Sequence, residues 1–344
     1  MIRIVHIVPE DGIGGVEVAA RSQVGKGSKD CFFQLIFIAC KNSNRGSLNP
    51  LAHWRAFVEA RSARPDVIIF SLWKSVPVAL LLKIFRPNLI YIFTLNNETT
   101  AHLLDQIFSN LGIWIADEVW ADSRRSLDAR VAGRGKIGRA ISFVVDRPLP
   151  PPNHRRPDFH FVSWGRLTRQ KGLDRSIKFV GRMAEQGLDP RFDIWGPDAG
   201  ERLRLEQLVA LLGLGDRVAF KGPIERERLR EVAADASFFF QLSRFEGLAM
   251  ACVEAMQLGL VPVTTSAGAM SDYVIPGKTG ILVDPARIDS AIDEIIDLIE
   301  NPDRYHRLRN GAIQRWRDAP IYADDMFSAC ADIYARLRPA PSVR

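Results

Sequence analysis

Two glutamates in the stretch FQLSRFEGLAMACVEAMQLG have the residue type and spacing that most suggest chemistry. Glu246 and Glu254 stand eight positions apart. The apolar run Ser237–Leu242 predicts a buried strand before them, Gly247 predicts a turn, and Leu248–Leu258 predicts a buried helix. Eight helical positions would leave about 80° between two side chains, so they would not share one face. We therefore place Glu246 on the turn and Glu254 inside the helix.

The predicted turn between this strand and this helix is suited to an anion. Backbone N–H groups and the positive end of a helix attract phosphate. Glu246 would be repelled by a phosphate, so it should face hydroxyl groups of the same ligand. A buried Glu254 also needs a partner, either ribose hydroxyls or a salt bridge to a neighbouring helix. A ligand that carries phosphates and hydroxyls side by side is a nucleotide sugar.

Three more predicted strand-to-helix turns carry glycines or cations. They are WGRLTRQKGLD with Gly165, Arg166 and Lys171, WGPDAGE with Gly196, and FKGPIERERL. Arg166 could fork onto phosphate oxygens and Lys171 could act as a point charge, although each alone is also typical of a solvated surface cation. Because all four turns would lie at one edge of one parallel sheet, we interpret them together as a phosphate and nucleotide pocket.

The chain of 344 residues alternates apolar strands with helical segments, which predicts an α/β protein with parallel sheets covered on both faces. Its length favours two domains, and the connector RPLPPPNHRRP is too rich in proline for a helix or a central strand. We predict two Rossmann-like doubly wound domains, 1–150 and 151–320, that face a cleft, and a C-terminal helix and tail over 321–344. The predicted strands are 2–8, 31–39, 67–72, 89–95, 118–121, 159–163, 191–195, 218–220, 237–242, 261–264 and 280–283.

Composition narrows the class of protein. Hydrophobic residues make up 47% and charged residues 25%, as in a globular protein, and the net charge is +6. That charge suits nucleic acid, anionic lipid or phosphorylated small molecules, but the arginines are dispersed, which argues against nucleic acid. The four cysteines have no metal-ligand spacing and indicate reduced thiols in a cytoplasmic protein. We expect the N-terminus to be a first strand, and no stretch to span a membrane.

The motifs of the second domain resemble those of retaining glycosyltransferases with the GT-B fold, in particular glycosyltransferase family 4. The matching segments are WGRLTRQKGLD, RVAFKGPIERERL, FEGLAMACVEAM, LGLVPVTTSAGAMSDYV and GKTGILVDP, in family order between Val162 and Pro285. The first domain resembles the family more weakly, through IGGVE and ADEVWADSRRS. The resemblance implies a transferase that keeps the anomeric configuration of its sugar, acceptor binding in the first domain, and a C-terminal helix that packs back on that domain.

The resemblance also implies roles for particular residues. Arg166 and Lys171 would hold the donor diphosphate, Glu246 would contact the sugar, and Glu254 would bind the ribose. The backbone near Gly196 and Ile224 would meet the base, and further donor contacts would come from Gly14, Gly15, Gly165, Gly247, Leu248 and Ala249. Asn96 stands where many members have a histidine that contacts the sugar, and Asp272 replaces a commoner glutamate. Neither a metal ion nor a cofactor is expected, because cations and the helix end would neutralise the leaving diphosphate.

The resemblance makes UDP- or GDP-linked sugars the expected donors, and a carbohydrate or lipid-linked acceptor in bacterial polysaccharide, lipopolysaccharide or glycolipid synthesis. Peripheral membrane contact is one interpretation of the apolar and basic stretches that contain Trp54, Trp73, Lys74, Lys83 and Arg86; a buried helix with snorkelling cations is the other. Two alternatives to an active enzyme are a catalytically impaired partner subunit that binds nucleotide sugars, which the asparagine at position 96 favours, and a nucleic-acid-binding protein.

Overall fold

A computed structural model describes residues 1–12, 14–26, 31–39, 46, 48–96, 102–152 and 156–338. The chain divides into two compact units. One consists of Met1–Asp146 with Pro320–Arg344, and the other of Arg147–Ala319. Each unit contains a six-stranded sheet whose neighbouring strands run parallel. The predicted α/β class with two doubly wound sheets is confirmed.

The strands of the two sheets are numbered in chain order. The first unit contains β1 Ile2–Glu10, β2 Cys31–Ala39, β3 Val67–Ser71, β4 Ile90–Leu95, β5 Glu118–Ala121 and β6 Ile137–Ala140. The second contains β7 His160–Trp164, β8 Arg191–Trp195, β9 Val218–Gly222, β10 Phe238–Gln241, β11 Val261–Thr264 and β12 Ile281–Leu282. The orders are β2-β1-β3-β4-β5-β6 and β12-β11-β10-β7-β8-β9. Strand order therefore reverses between β1 and β3 in the first sheet and between β7 and β10 in the second.

Helices connect these strands. In the first unit they are α1 Gly15–Arg21, α2 Pro50–Ser62, α3 Val76–Phe85, α4 Leu103–Ile115 and α5 Arg124–Val131. The second unit contains α6 Leu173–Glu185, α7 Arg202–Leu211, α8 Leu229–Asp235, α9 Met250–Gln257, α10 Met270–Tyr273, α11 Ile288–Glu300 and α12 Pro302–Arg317. The last helix, α13 Tyr322–Leu337, returns to the first unit.

Local sequence explains where several of these elements begin. Asn49 caps α2 by accepting a hydrogen bond from Leu51, and Pro50 fits the first turn because its missing N–H would be unpaired there. Ser123 caps α5 in the same way. All five residues of β3 and of β7 are buried, as expected of parallel strands that helices cover on both faces.

The C-terminal helix α13 packs on the first unit, as predicted. Its Arg336 donates a hydrogen bond of 2.6 Å to the fully buried carboxylate of Glu118 on β5. The same carboxylate accepts hydrogen bonds of 2.9 Å from Arg139 and Trp120. The start of the helix is attached as well, because Tyr322 N donates to the carbonyl of Val144 at 2.7 Å. Two arginines thus neutralise a charge that would be costly to bury alone.

The structure also departs from the sequence predictions. β6 was not predicted, because it is an edge strand whose residues are exposed or half-buried and lack an apolar pattern. His102 caps α4, because its side chain accepts a hydrogen bond of 3.2 Å from Asp105 N. Cys31, Cys252 and Cys330 are buried free thiols, whereas Cys40 lies outside the described residues. No helix in the described part of the chain combines the length and apolar character needed to cross a bilayer.

Candidate functional site

The carboxyl ends of β7 and β10 lie side by side where strand order reverses in the second sheet. Ligands of open α/β sheets bind at such a point. The turns after β7, β8 and β9 are joined there by hydrogen bonds, from Gly165 N to Trp195 O at 3.0 Å and from Gly196 N to Gly222 O at 2.7 Å. The turns that we interpreted as a pocket therefore do lie along one edge of one sheet.

A close approach of backbones at this edge requires glycine. Gly196 has φ +143°, a value that side chains rarely allow, and a Cβ there would lie 1.8 Å from Gly165 O. Gly172 has φ +64°, and a Cβ there would lie 2.0 Å from Leu242 O. Gly172 therefore lets the turn after β7 contact the turn after β10. Arg244 N, which donates to Gln170 O at 2.8 Å, joins the same two turns.

Glu246 lies in the turn between β10 and α9, as predicted, and only 7% of its surface is exposed. Its Oε1 atom accepts hydrogen bonds from Lys171 Nζ at 2.9 Å, Gln241 Nε2 at 2.9 Å and Ser243 Oγ at 2.7 Å. Its Oε2 atom has a longer contact of 3.4 Å with Gln170 Nε2. The carboxylate is therefore held in place through one oxygen, while the other is the better placed to accept further hydrogen bonds.

The two predicted diphosphate ligands differ in their surroundings. Lys171 is ion-paired with Glu246 at 2.9 Å, so it lies beside the predicted sugar contact. Arg166 is exposed and forms no hydrogen bond or ion pair with any residue that the structure describes. Both follow β7, and their proposed contact with phosphate stays a prediction.

The helix α9 begins in an unusual conformation beside Glu246. Ala249 precedes it with φ 64° and ψ 64°, and within the described residues no side chain caps its first turn. A left-handed conformation costs a residue other than glycine about 1–2 kcal/mol, so surrounding contacts must hold it. Two such contacts are present: Tyr273 Oη donates to Leu248 O at 2.5 Å, and Ala269 N donates to Gly247 O at 2.9 Å. The positive end of α9 thus lies at the same edge of the sheet, where it favours an anion.

A thiol near this turn is not a candidate nucleophile. Cys252 is fully buried in α9, and burial raises the pKa of its thiol to about 12. At neutral pH the group therefore remains protonated, and a protonated thiol is a poor nucleophile.

Glu254 lies inside α9, as predicted, and is held by two side chains. Trp164 Nε1, on β7, donates to its Oε2 atom at 3.1 Å. Arg226, just before α8, donates to its Oε1 atom and forms an ion pair with it. The salt bridge that we kept open as an alternative is thus present, and the ribose contact stays a prediction. Arg226 was not among the predicted site residues, although it lies in the motif FKGPIERERL.

An ion pair braces the turns that hold Lys171 and Glu246. Arg244 donates two hydrogen bonds to the carboxylate of Asp174, at 2.8 and 2.7 Å, and a third to Arg169 O at 2.9 Å. The hydrogen bond from Arg244 lowers the pKa of Asp174. This brace also escaped the sequence analysis, since its two members are 70 residues apart.

The remaining predicted residues are placed as follows. In the first unit, Gly14 precedes α1, Gly15 begins it, and Asn96 follows β4. The Oδ1 atom of Asn96 is buried and accepts no hydrogen bond from the described residues. In the second unit Ile224 follows β9. The described ranges contain no group of three or more His, Cys, Asp or Glu residues that could hold a metal ion.

The second unit is similar to a family of known proteins. Residues 149–315 match the family model of the glycosyl transferases group 1. Alpha-D-kanosaminyltransferase of Streptomyces kanamyceticus is 28% identical over 148 residues, which are 43% of this chain and 38% of that protein. The GDP-mannose:cellobiosyl-diphosphopolyprenol alpha-mannosyltransferase of Xanthomonas oryzae is also 28% identical over 148 residues, 43% of this chain and 39% of that protein. The chain thus spans about two fifths of the length of these curated relatives.

The likeness to solved structures covers more of the chain. HepE of Anabaena, solved in complex with UDP-glucose, aligns with 96% of this chain and 100% of its own with a TM-score of 0.80 and 19% identity. Sucrose-phosphate synthase of Thermosynechococcus elongatus aligns with 98% of this chain and 100% of its own, with a TM-score of 0.78 and 19% identity. The chain therefore has the GT-B fold, as its motifs predicted, and its residues 149–315 match the family model of the glycosyl transferases group 1.

Proposed function

We propose that the chain is a retaining glycosyltransferase that moves a sugar from a nucleotide-diphosphate sugar to an acceptor hydroxyl. The observation that supports this most strongly is the buried carboxylate of Glu246, held through Oε1 beside the start of α9, which no described side chain caps. A helix end for phosphate and a carboxylate for hydroxyls are the two groups that a nucleotide sugar needs side by side. The group 1 domain supports the same reaction class.

In the proposed reaction the bond between the anomeric carbon and the diphosphate oxygen breaks, and a bond to the acceptor oxygen forms on the same face. The proton of the acceptor hydroxyl passes to the departing phosphate oxygen, so no protein nucleophile is needed. Arg166, Lys171 and the start of α9 would stabilise the charge that develops on the diphosphate. Glu246 would orient the sugar through Oε2. The proposal includes neither a metal ion nor a cofactor.

The main alternative is a partner subunit that binds nucleotide sugars without catalysis. The asparagine at position 96 was the feature in its favour, but the buried Oδ1 atom of Asn96 is still a hydrogen-bond acceptor. The ion pair of Lys171 with Glu246 is also intact, which is the part of the site that catalysis would need. We therefore favour the active enzyme.

Substitution of Glu246 tests this proposal. Glu246→Gln keeps the shape of the side chain but removes the charge that orients Lys171 and accepts from sugar hydroxyls. We expect a loss of about 10²–10³-fold in transfer, the size seen when one oriented polar group is removed from an active site. The matched control is Glu231→Gln, the same chemical change on an exposed side chain of α8. Full transfer by the Glu246→Gln protein would overturn the role given to this residue.

The donor is proposed to be UDP- or GDP-linked, and a binding panel can decide between them. A ligand that binds only the folded chain raises its thermal midpoint. UDP-, GDP- and ADP-sugars should therefore be ranked by the shift that each produces at equal concentration. No shift with UDP- or GDP-sugars would contradict this part of the proposal.

The acceptor is proposed to be a carbohydrate or lipid-linked sugar in bacterial polysaccharide, lipopolysaccharide or glycolipid synthesis. We also propose that the protein acts in the cytoplasm and attaches to the inner face of the membrane. The first unit has a surface suited to that attachment. Trp54 of α2 is 56% exposed and Phe85 of α3 is 53% exposed. Trp54 lines a cavity of about 510 Å³ together with Arg61, Arg64 and Arg86. Exposed aromatics among arginines match a surface of anionic lipid headgroups.

Two cations of the predicted membrane-facing set have other partners. Lys74 forms an ion pair of 2.7 Å with Glu10, and Lys83 lies 3.8 Å from the carboxylate of Asp117. We therefore propose Trp54 and Arg86 as the lipid contacts. The double substitution of these two to alanine should abolish co-sedimentation with vesicles that contain phosphatidylglycerol. The pair Leu203→Ala with Arg228→Ala, an exposed apolar residue and an exposed arginine of the second unit, is the control.

A further inference from the structure

Glu254 is held by residues from two other elements of the second unit. Trp164 at the end of β7 donates to one carboxylate oxygen at 3.1 Å, and Arg226 before α8 donates to the other. Arg226 also stands two positions after Ile224, the residue proposed to lie near the base. One ion pair therefore connects the loop after β9 with the helix that carries the proposed ribose contact.

The geometry of this pair bears on how Glu254 can meet a ligand. Its side chain is largely buried, with 14% exposed, so a carboxylate without its cation would be poorly solvated there. An N–H donor at each oxygen orients the plane of the carboxylate. The directions from which hydroxyl groups can approach are then fixed as well, because donors lie near the plane of the acceptor.

We propose that Arg226 is a positioning residue for the nucleotide. It orients Glu254 toward the ribose hydroxyls, and it holds the loop after β9, where the base is proposed to bind, against α9. This inference rests on the proposed function, in which Glu254 binds the ribose. Arg226 acts through Glu254 and has no part in the transfer step. Its loss therefore lowers nucleotide affinity and raises KM, and it leaves kcat at saturating donor within about threefold, since uniform binding energy affects KM alone.

Deoxynucleotides provide the test. The affinities of UDP and GDP and of their 2′-deoxy and 3′-deoxy analogues are measured by titration calorimetry with the wild type, Arg226→Ala, Arg226→Lys and Glu254→Gln. A hydrogen bond to a charged group is worth about tenfold to a hundredfold in affinity, so the wild type should prefer the ribonucleotide by that factor. Arg226→Ala should reduce this preference to within about threefold. Arg226→Lys should restore part of it, because a cation again pairs with the carboxylate.

Arg228→Ala is the matched control, since Arg228 is on the same turn but is 58% exposed and pairs with the exposed Glu231. It should keep the full preference for the ribonucleotide. Circular dichroism checks that the Arg226 variants are folded. The inference is overturned if Arg226→Ala and Arg226→Lys both prefer the ribonucleotide as strongly as the wild type does, while Glu254→Gln loses that preference. A wild type that binds no nucleoside diphosphate would instead refute the proposed function itself.

Discussion

Replacing Gly172 by alanine should separate the two turns that form the candidate site. Gly172 and Gly213 both have φ +64°, so alanine at either position pays the same left-handed penalty of about 1–2 kcal/mol. Alanine also restricts the unfolded chain more than glycine does, and the stability gained in this way is the same at both positions. The two sites differ in space, because a Cβ at 172 would lie 2.0 Å from Leu242 O whereas a Cβ at 213 would meet no atom within 4 Å.

The size of the effect follows from that contact. Cβ atoms essentially never approach another heavy atom closer than 3.0 Å, so the backbones must move apart by 1.0 Å or more (3.0 − 2.0). Overpacking of this kind costs typically 1–3 kcal/mol. Gly172→Ala should therefore unfold more easily than Gly213→Ala by about 1–3 kcal/mol. The same movement would lengthen the 2.9 Å contact between Lys171 and Glu246, and a displacement of about 1 Å in an active site can cost about 10²-fold in rate.

Urea unfolding of the two variants, followed by tryptophan fluorescence, measures the stability difference, and release of nucleoside diphosphate from the donor measures activity. We expect a lower urea midpoint with an unchanged slope for Gly172→Ala, which would indicate a change in stability alone. Equal midpoints and equal rates for the two variants would refute the reasoning, since the close approach at position 172 would then have no consequence.

Three further predictions concern groups outside the reacting centre. Burial lowers the pKa of His6 to about 4, so between pH 6.5 and 4 the unfolded chain binds a proton that the folded chain does not. Stability should therefore fall by up to about 3 kcal/mol as the pH is lowered across that window. Urea titrations at several pH values measure this dependence of stability on pH, and His6→Gln should flatten it. Glu118→Gln should cost about 1–3 kcal/mol in a denaturation experiment because it removes the charge with which Arg139 and Arg336 pair, whereas Asp332→Asn, at the exposed end of the same network, should cost less than about 1 kcal/mol. Asp174→Asn should lower both the thermal midpoint and the transfer rate by weakening the brace to Arg244, and Asp289→Asn, in an exposed pair with Arg182, should change neither.

The sequence predicted the parts of the fold that short-range patterns determine. The buried strand β3 begins with the apolar run Val67–Phe70, and the turn after β10 was predicted from Gly247. The helix after that turn was predicted to begin at Leu248 but begins at Met250, because Ala249 adopts a left-handed conformation that its residue type does not signal. β6 was missed because an exposed edge strand needs no apolar periodicity.

The sequence predicted that the candidate residues lie at one edge of a sheet, but it did not predict their ion pairs, and their contacts with a ligand stay predictions. Residue types indicated that Lys171, Glu246 and Glu254 lie near one ligand. Their partners could not be read from the chain, because the ion pairs of the two glutamates join residues 75 and 28 positions apart. Such contacts depend on which strand neighbours which, and strand order follows from the whole topology. For the same reason neither Arg226 nor Arg244 could be identified as a partner from the chain alone.

The ion pair between Lys171 and Glu246 changes how the two glutamates should be interpreted. From the sequence Lys171 was assigned to the diphosphate and Glu246 to the sugar, as separate contacts. An ammonium group has three donors, so Lys171 can keep its bond of 2.9 Å to Glu246 while it also meets a phosphate oxygen. The pair would then lie at the junction of sugar and diphosphate, where the bond to the leaving group breaks. Loss of either partner should therefore lower the rate of transfer more than it lowers donor affinity, since the charge on that junction grows only as the bond breaks.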